Sequence, residues 1–407
     1  MLIWLIKDGE YLPIQTGARR MRIGMLASHL AAAGHEVIWW SSTFAHFGKQ
    51  LLYDRDQVLD IEPGLRLFLL DSGSYGRNIS LARLIHHNRF AFRLARELPR
   101  QPPPDVIVCC YPIVEMAFQT VRFANRHGIP VVVDIRDAWP DYFLEVVPGW
   151  LRGPARLALW PLYWQGRRAL KGADALVAIS PGFLRWGLSM AGRDSRPLDG
   201  VSYHGYEPVR PAEPLSERLA PVVERLEQRV VFVFCGHFTP PYDLHQIVTV
   251  AERLADRNDI HFLLVGDGGS AAELEDRSRR LNNLSLTGWV GQSDLAHLLA
   301  HCDVGLLPWV SGTRNAMPNK VFEYLAAGCP IISSSVGDLE EMLSEHKVGF
   351  SYRARNVGEL QELVLHLADD SQRRLRLSAN ARAAFQQHFR AEVVCARYAE
   401  RLRRLAR

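Results

Sequence analysis

The sequence predicts an α/β protein of two domains, each built on a parallel sheet, and three observations carry that prediction. The chain has 407 residues, whereas a single hydrophobic core stops growing at about 250 to 300 residues. Short β-branched or aromatic runs alternate with helical patterns along its length. The alternation then starts afresh after a polar, proline-containing stretch at residues 207–217.

In the first half the strand candidates are IWLI, EVIWWSS, LRLFLL, DVIVCC, PVVVDI and DALVAIS, in that order. The N-terminal run reads as a strand and not as a secretion signal, because it lacks a basic lead and a small-residue cleavage site. Residues 19–33 place Ile23, Leu26, Ala27 and Leu30 on one helical face, and Gly34 supplies the stop. The second half offers VVFVFCG, DIHFLLVGDG, LSLTGW, CDVGLLPW and CPIISSS, each followed by a helix candidate. A charged helical stretch, residues 371–407, closes the chain. The expected division is a Rossmann-like domain at 1–204, a second at 205–385, and a helix at 386–407 that returns to the first. Two such sheets facing across a cleft collect ligand-binding loops at the carboxyl ends of their strands.

Composition narrows the function classes. Hydrophobic residues make up 48% and charged residues 23%, as in a folded globular protein, and the net charge is only +4. That excess suits phosphorylated substrates or an anionic membrane and falls short of a nucleic-acid-binding signature. The six cysteines show no zinc or dithiol spacing, which fits a reducing cytoplasm. No apolar run approaches the roughly 20 residues of a membrane span. A cytoplasmic protein, at most peripheral on the inner face of the membrane, is expected.

The most informative segment is SGTRNAMPNKVFEYLAAGCPIISS, residues 311–334. A polar loop enters a helix near Pro318, and Gly328 ends that helix before the next strand. Free N–H groups at the helix start, with Arg314 and Lys320, suit a diphosphate. Lys320 and Glu323 share one helical face, so a cation for phosphate lies beside a carboxylate for ribose hydroxyls. Gly236 and Gly266 follow successive strands, where backbone can approach a phosphate closely. The same residues also read as a solvated helix start with one ion pair, and that alternative stays open here.

The runs VGDGG, TGWVGQSDLAHLLAHCDVGLLPW and PNKVFEYLAAGCPIISSSVGDLEEML resemble family four of the retaining glycosyltransferases, and the likeness covers nearly the whole chain. It implies the GT-B fold and a nucleotide diphosphate sugar donor, with UDP the expected nucleotide. It implies that Glu323 binds ribose, that the backbone of Val290 meets the base, and that Asn319, Lys320, Gly266 and Asp267 border the donor. Asn315 stands where the family carries another Glu, seven residues intervening before Glu323. His237 and Tyr242 stand after Gly236 where an Arg and a Lys are common.

In the first half, GARRMRIGMLASHLAAAGHEVIWWSSTFAHF resembles the branch of that family that builds bacterial surface polysaccharides. The resemblance makes Arg19, Arg22 and His46 acceptor-side candidates, against plain solvation of arginines at a helix entrance. VVVDIRDAWPD puts Arg136, Asp137 and Trp139 directly after an apolar strand; many relatives have His-Asp there, so Arg136 replaces the His. A structural ion-pair cluster of Asp134, Arg136 and Asp137 is the competing reading. Gly205 in HGYEP is a candidate hinge. Trp150, Trp160 and Trp164 interleave with Arg152, Arg156, Arg167 and Arg168, as on a membrane-surface helix or on an ordinary core helix with arginine flanks.

The family likeness implies a hexosyltransferase that retains configuration without metal or cofactor, with Asp137, Arg136 and Lys320 as catalytic candidates. Its acceptor is expected to be a saccharide or a polyprenyl-diphosphate-linked saccharide, and no nucleic acid is expected as partner. A nucleotide-sugar epimerase on the same fold and a catalytically silent scaffold subunit are the rivals.

Overall fold

The computed structural model describes residues 1–15, 17, 19–145, 147–211, 215–310 and 317–406. The chain divides into two compact units: Met1–Tyr203 joined by Val394–Arg407, and His204–Val393.

The first unit is built on an eight-stranded sheet. Its spatial order is Gly200–Val201, Ala175–Ala178, Val131–Ile135, Val106–Tyr111, Leu2–Ile6, Glu36–Ser42, Leu65–Leu70 and Gln57–Glu62. Every pairing is parallel except the last, where Gln57–Glu62 runs antiparallel to Leu65–Leu70. That edge strand, QVLDIE, lies outside the sequence expectation because its alternating, half-exposed residues lack the apolar run that marks a buried strand. The inner strands are buried on both faces. Trp4, Trp40, Phe68 and Phe123 pack on one side of the sheet. Trp39, Ile23, Leu26 and Leu30 pack on the other, joined by Tyr398, Ala399 and Leu402 of the C-terminal helix Ala391–Leu405.

Chain order reverses between Leu2–Ile6 and its neighbour Val106–Tyr111, which is where an open α/β sheet opens a crevice at its carboxyl edge. The predicted first helix spans Arg22–Ala32 and buries Ile23, Leu26, Ala27 and Leu30 as its spacing requires. Helices Leu81–Glu97, Val114–His127 and Trp160–Gly172 pack side by side on one face of the sheet.

The second unit has six parallel strands in the order Leu284–Gly288, Ile260–Val265, Val230–Cys235, Val304–Leu307, Ile331–Ser333 and Gly349–Ser351. Numbered along the chain this is 3-2-1-4-5-6, the doubly wound order that binds dinucleotides at its reversal. The reversal here falls between Val230–Cys235 and Val304–Leu307. The loops that follow those two strands carry Gly236 and lead into the helix Asn319–Ala327. The topology thus converges on the segment that stands out in the sequence.

Candidate functional site

In the second unit the helix Asn319–Ala327 starts after Pro318 with no side-chain cap, leaving its first N–H groups to an external acceptor. The Lys320 ammonium folds back across the sheet edge. It lies 3.9 Å from the ring centre of Phe234 and 4.0 Å from that of Tyr242. Its Nζ is buried and has no hydrogen-bond partner among the described residues. Burial pulls the group down to about 8, with Cys235 and Glu323 opposing the shift. An ammonium held dry without an oxygen partner is costly unless a ligand completes it.

A Cβ built on Gly236 would lie 2.9 Å from Lys320 Nζ, so only glycine leaves the space in front of the cation open. Gly236 has φ 118°, and Gly266 on the next strand has φ 144° with its virtual Cβ 1.9 Å from the Gly236 carbonyl oxygen. Both positions demand glycine, and the two turns lie back to back. One helical turn beyond Lys320, Glu323 is buried, with its Oε2 3.6 Å from the Cys235 sulfur.

Around this centre, Val290 is buried, and Arg218 clamps its loop by donating to the carbonyls of Thr287 at 2.9 Å and Trp289 at 2.6 Å. His237 stacks on the exposed Trp289 with ring centres 5.0 Å apart. The Asp267 carbonyl accepts from the Phe238 N–H, and its carboxylate accepts from the Gly268 N–H, so Asp267 ties the two glycine turns together. Tyr242 packs on Trp309 and provides the aromatic floor for Lys320. Asn319 is half-buried at the helix start. Arg314 and Asn315 lie outside the described residues.

In the first unit the candidates separate into structural and open groups. Arg22 is buried: Nε and Nη2 donate to the Asp134 carboxylate at 2.8 and 3.1 Å, and Nη1 donates to the Tyr203 carbonyl at 2.6 Å. Its guanidinium is used up in tying the first helix to the strand Val131–Ile135 and to the end of the unit. Three of its five N–H donors are committed to the protein in this way, which favours a structural role over acceptor binding. Arg136 pairs with the buried Glu10, whose other oxygen accepts from the Ile23 N–H at 3.0 Å. Burial alone would lower the Arg136 pKa, and Glu10 drives it above the ordinary arginine value. Two of the three residues in the competing ion-pair reading, Asp134 and Arg136, are therefore paired structurally. Their partners, however, are Arg22 and Glu10 instead of each other. Arg19 is half-buried at the helix entrance.

Asp137 stands apart from these pairs. No ion pair forms to it within 4 Å among the described residues, and burial raises it to about 6 against the opposing charges of Arg136, Lys7 and Arg83. A carboxylate so raised at the carboxyl end of a strand can gain or lose a proton near neutral pH. Beside it, Trp139 packs on His87 and Phe143 and under the Arg83 guanidinium. His46 Nδ1 meets the Tyr75 hydroxyl at 2.6 Å; burial, with Lys49 and Arg83, depresses its pKa to about 4 and keeps the ring neutral at physiological pH.

The sequence reading missed a buried pair behind these residues. Asp8 accepts from Ser42 Oγ at 2.6 Å and lies 3.0 Å from His86 Nε2. His86 Nδ1 lies 2.9 Å from the Gly73 carbonyl. Both ring nitrogens thus lie within hydrogen-bond reach of oxygen partners, which fixes the ring in place. Burial would raise Asp8, yet His86 and Ser42 hold it well below the usual carboxylate range. The available signal was KDGE directly after the first strand, a charged run at the place where crevice residues emerge.

Comparison with known proteins agrees with this architecture. Residues 17–203 match the family described as glycosyl transferase 4-like domain, and residues 229–370 match glycosyl transferases group 1. The N-acetyl-alpha-D-glucosaminyl L-malate synthase of Bacillus anthracis is 21% identical over 173 residues, 42% of this chain and 45% of that protein. A Campylobacter jejuni enzyme, N,N'-diacetylbacillosaminyl-diphospho-undecaprenol alpha-1,3-N-acetylgalactosaminyltransferase, is 30% identical over 128 residues, 31% of this chain and 32% of that enzyme. The matches thus span less than half the length of these curated relatives. The Anabaena protein HepE, solved in complex with UDP, superposes with TM-score 0.68 at 16% identity over 99% of this chain and 100% of that one. With both units matched and the GT-B fold shared along its length, the chain belongs to the group 1 glycosyltransferases with a glycosyl transferase 4-like domain.

Proposed function

We propose that this protein moves a sugar from a nucleotide diphosphate donor to a hydroxyl of a saccharide or lipid-linked saccharide in bacterial surface polysaccharide synthesis, with retention of configuration and without a metal. The carrying observation is the buried Lys320 ammonium, without a hydrogen-bond partner among the described residues, facing the space that Gly236 keeps open, with Glu323 on the same helical face. In this reading the diphosphate sits on Lys320 and the uncapped helix start, and the Glu323 carboxylate takes the ribose hydroxyls. Val290 and Trp289 border the base, and Asn319 and the turns at Gly236, Gly266 and Asp267 border the phosphates and sugar. Residues 1–203 are then the acceptor side, with His46, Trp139 and Arg19 as candidate contacts, and residues 204–393 the donor side.

The chemistry follows from charge. As the bond from sugar to diphosphate breaks, negative charge grows on the leaving oxygen, and Lys320 with the helix N–H groups offsets it from fixed positions. Attack from the face the diphosphate leaves preserves configuration and lets a phosphate oxygen accept the proton of the incoming hydroxyl. Asp137 is assigned to hold that hydroxyl, and Arg136 to fix the Asp137 loop through Glu10. UDP is the preferred nucleotide because HepE of the same fold was solved with it. A lipid-linked acceptor follows the name of the Campylobacter relative.

Contact with an anionic membrane is part of this proposal. Trp150, Leu157, Trp160 and Trp164 are exposed, and Arg152, Arg156, Arg167 and Arg168 lie on the same or the directly following helical segments. Exposed indoles among arginines suit a lipid headgroup layer. Among the described residues no helix is long and apolar enough to cross a membrane.

The test is a thermal-shift screen of UDP, GDP, ADP and TDP against the wild-type protein, Lys320→Ala and Glu323→Ala. At 100 times Kd a ligand stabilises the native state by about 2.7 kcal/mol. One nucleotide should raise Tm in the wild type and fail to do so in both variants. Absence of a shift with all four, in folded protein, would overturn the reading in favour of a silent subunit.

A further inference from the structure

The first unit holds a second group of cations that the donor chemistry does not use. Lys49 Nζ donates to Asn78 Oδ1 at 2.5 Å and to His46 Nδ1 at 3.3 Å, and it lies 4.7 Å from the centre of the Tyr75 ring. Arg83 reaches the same place from the helix Leu81–Glu97. Its guanidinium lies over Tyr75 at 5.8 Å and Trp139 at 5.0 Å and donates to the Asn78 carbonyl at 2.8 Å. Lys7 approaches from the first strand and donates to the Asp8 carbonyl. Neither Lys49 nor Arg83 has a carboxylate partner among the described residues, and Asp8 is already committed to His86 and Ser42.

Two further facts set this cluster apart from ordinary surface charge. Lys49 adopts φ 53°, a left-handed backbone unusual for lysine, in the hairpin turn between Phe44–Ala45 and Gln50–Leu51. That costly turn aims its ammonium at Tyr75. Behind Arg83, His87 is buried with an Nδ1 that has no partner among the described residues. The cluster is bordered by apolar side chains that nothing in the unit covers. Ile79 is 76% exposed, Leu81 72% and Ile85 58%. Leu81 and Ile85 lie one turn apart on the outer face of the helix that carries Arg83.

Cations on aromatic floors suit a phosphate, and an exposed aliphatic rim beside them suits a hydrocarbon chain attached to it. We propose that Lys49 and Arg83, supported by Lys7, bind the phosphate or diphosphate of the acceptor, and that Ile79, Leu81 and Ile85 receive the first carbons of an aliphatic chain joined to it. This assignment rests on the glycosyltransferase reading and names its acceptor class: an amphiphile with phosphate at the junction of sugar and lipid. The saccharide then extends from the phosphate toward Trp139 and Asp137.

The test uses the full chain and farnesyl diphosphate, with inorganic pyrophosphate and farnesol as controls, by titration calorimetry. All titrations are repeated in Lys320→Ala, so that binding in the proposed donor site is separated. Farnesyl diphosphate should bind the wild type and Lys320→Ala alike, and at least about 10-fold more weakly Lys49→Ala and Arg83→Gln, the loss typical of a charge-assisted hydrogen bond. Lys49→Arg should restore most of the affinity, which a folding defect would not allow. Leu81→Ser with Ile85→Ser should weaken farnesyl diphosphate by about 10-fold and leave pyrophosphate unchanged.

Equal binding to wild type and the cation variants would overturn the proposal, and so would farnesol binding as tightly as its diphosphate. Pyrophosphate binding as tightly as farnesyl diphosphate would replace the lipid by a free anion and overturn it too. UDP stabilisation is read on the same variants: its loss in the wild type with the farnesyl pattern intact would remove the donor reading alone.

Discussion

At the residue scale burial perturbs two ionisable groups of the candidate site, Lys320 and Asp137. Lys320 is lowered to about 8 by burial, and an incoming diphosphate favours its charged form. Nucleotide binding should therefore draw in a proton once the free lysine is neutral. UDP affinity is predicted to be flat below pH 8 and to fall by up to about 10-fold per pH unit above it. Calorimetry from pH 6.5 to 9.5 measures this, and Lys320→Arg should flatten the curve. Asp137 is raised to about 6, so its ionised form is penalised in the folded protein. The penalty is fully present above pH 6 and disappears as pH falls below the ordinary aspartate value. Asp137→Asn should accordingly raise stability by about 1 to 3 kcal/mol at pH 7.5, a gain that fades toward pH 4. The same substitution should cut turnover by about 100-fold while leaving nucleotide affinity intact. A variant that turns over normally would remove Asp137 from the mechanism.

Elements are held by buried pairs as much as by packing. Arg22 and Asp134 connect the first helix to the strand Val131–Ile135, with side chains 4% and 0% exposed. Burial lowers the Arg22 pKa and Asp134 more than restores it. Removing either partner leaves the other as an uncompensated buried charge. Arg22→Ala and Asp134→Ala are each predicted to cost about 3 to 5 kcal/mol in urea unfolding, and Arg22→Met with Asp134→Leu much less. If Arg22 bound acceptor instead, Arg22→Ala would keep its stability and lose affinity. The sequence reading saw a basic helix entrance here, because spacing shows which residues neighbour one another along a helix and not which carboxylate arrives from a distant strand. The donor helix was more legible: Lys320 and Glu323 are three apart, so local geometry alone sets them on one face.

For the whole molecule, the division into two α/β units was legible from the restart of strand and helix patterns. The strand orders were not, because a parallel sheet is paired through crossovers that leave no local signal. Exposure of the tryptophans was likewise open in the sequence, since a helix with apolar and basic residues packs inward or outward with the same periodicity. The fold leaves Trp150 and Trp160 outside, 79% and 60% exposed. We predict that the protein sediments with vesicles containing anionic lipid. Trp150→Ser with Trp160→Ser should weaken that binding by about 10-fold, and 0.5 M salt should weaken it further. Vesicle binding indifferent to both would place the membrane contact elsewhere or nowhere.

What the sequence by itself determined is whatever acts over a few residues. It set the alternation of inner strands and helices, the helix that begins after Pro318, the glycine turns after the strands, and the placing of a cation and a carboxylate on one helix face. Tertiary structure decided what depends on distant segments meeting. It brought Lys320 over Phe234 and Tyr242 into the dry space before Gly236. It also committed Arg22 and Arg136 to ion pairs while leaving Asp137 without one among the described residues, and it brought Lys49 and Arg83 from two elements over Tyr75. The physical reason is that burial and charge pairing depend on distance through space, and chain spacing fixes that distance only within an element.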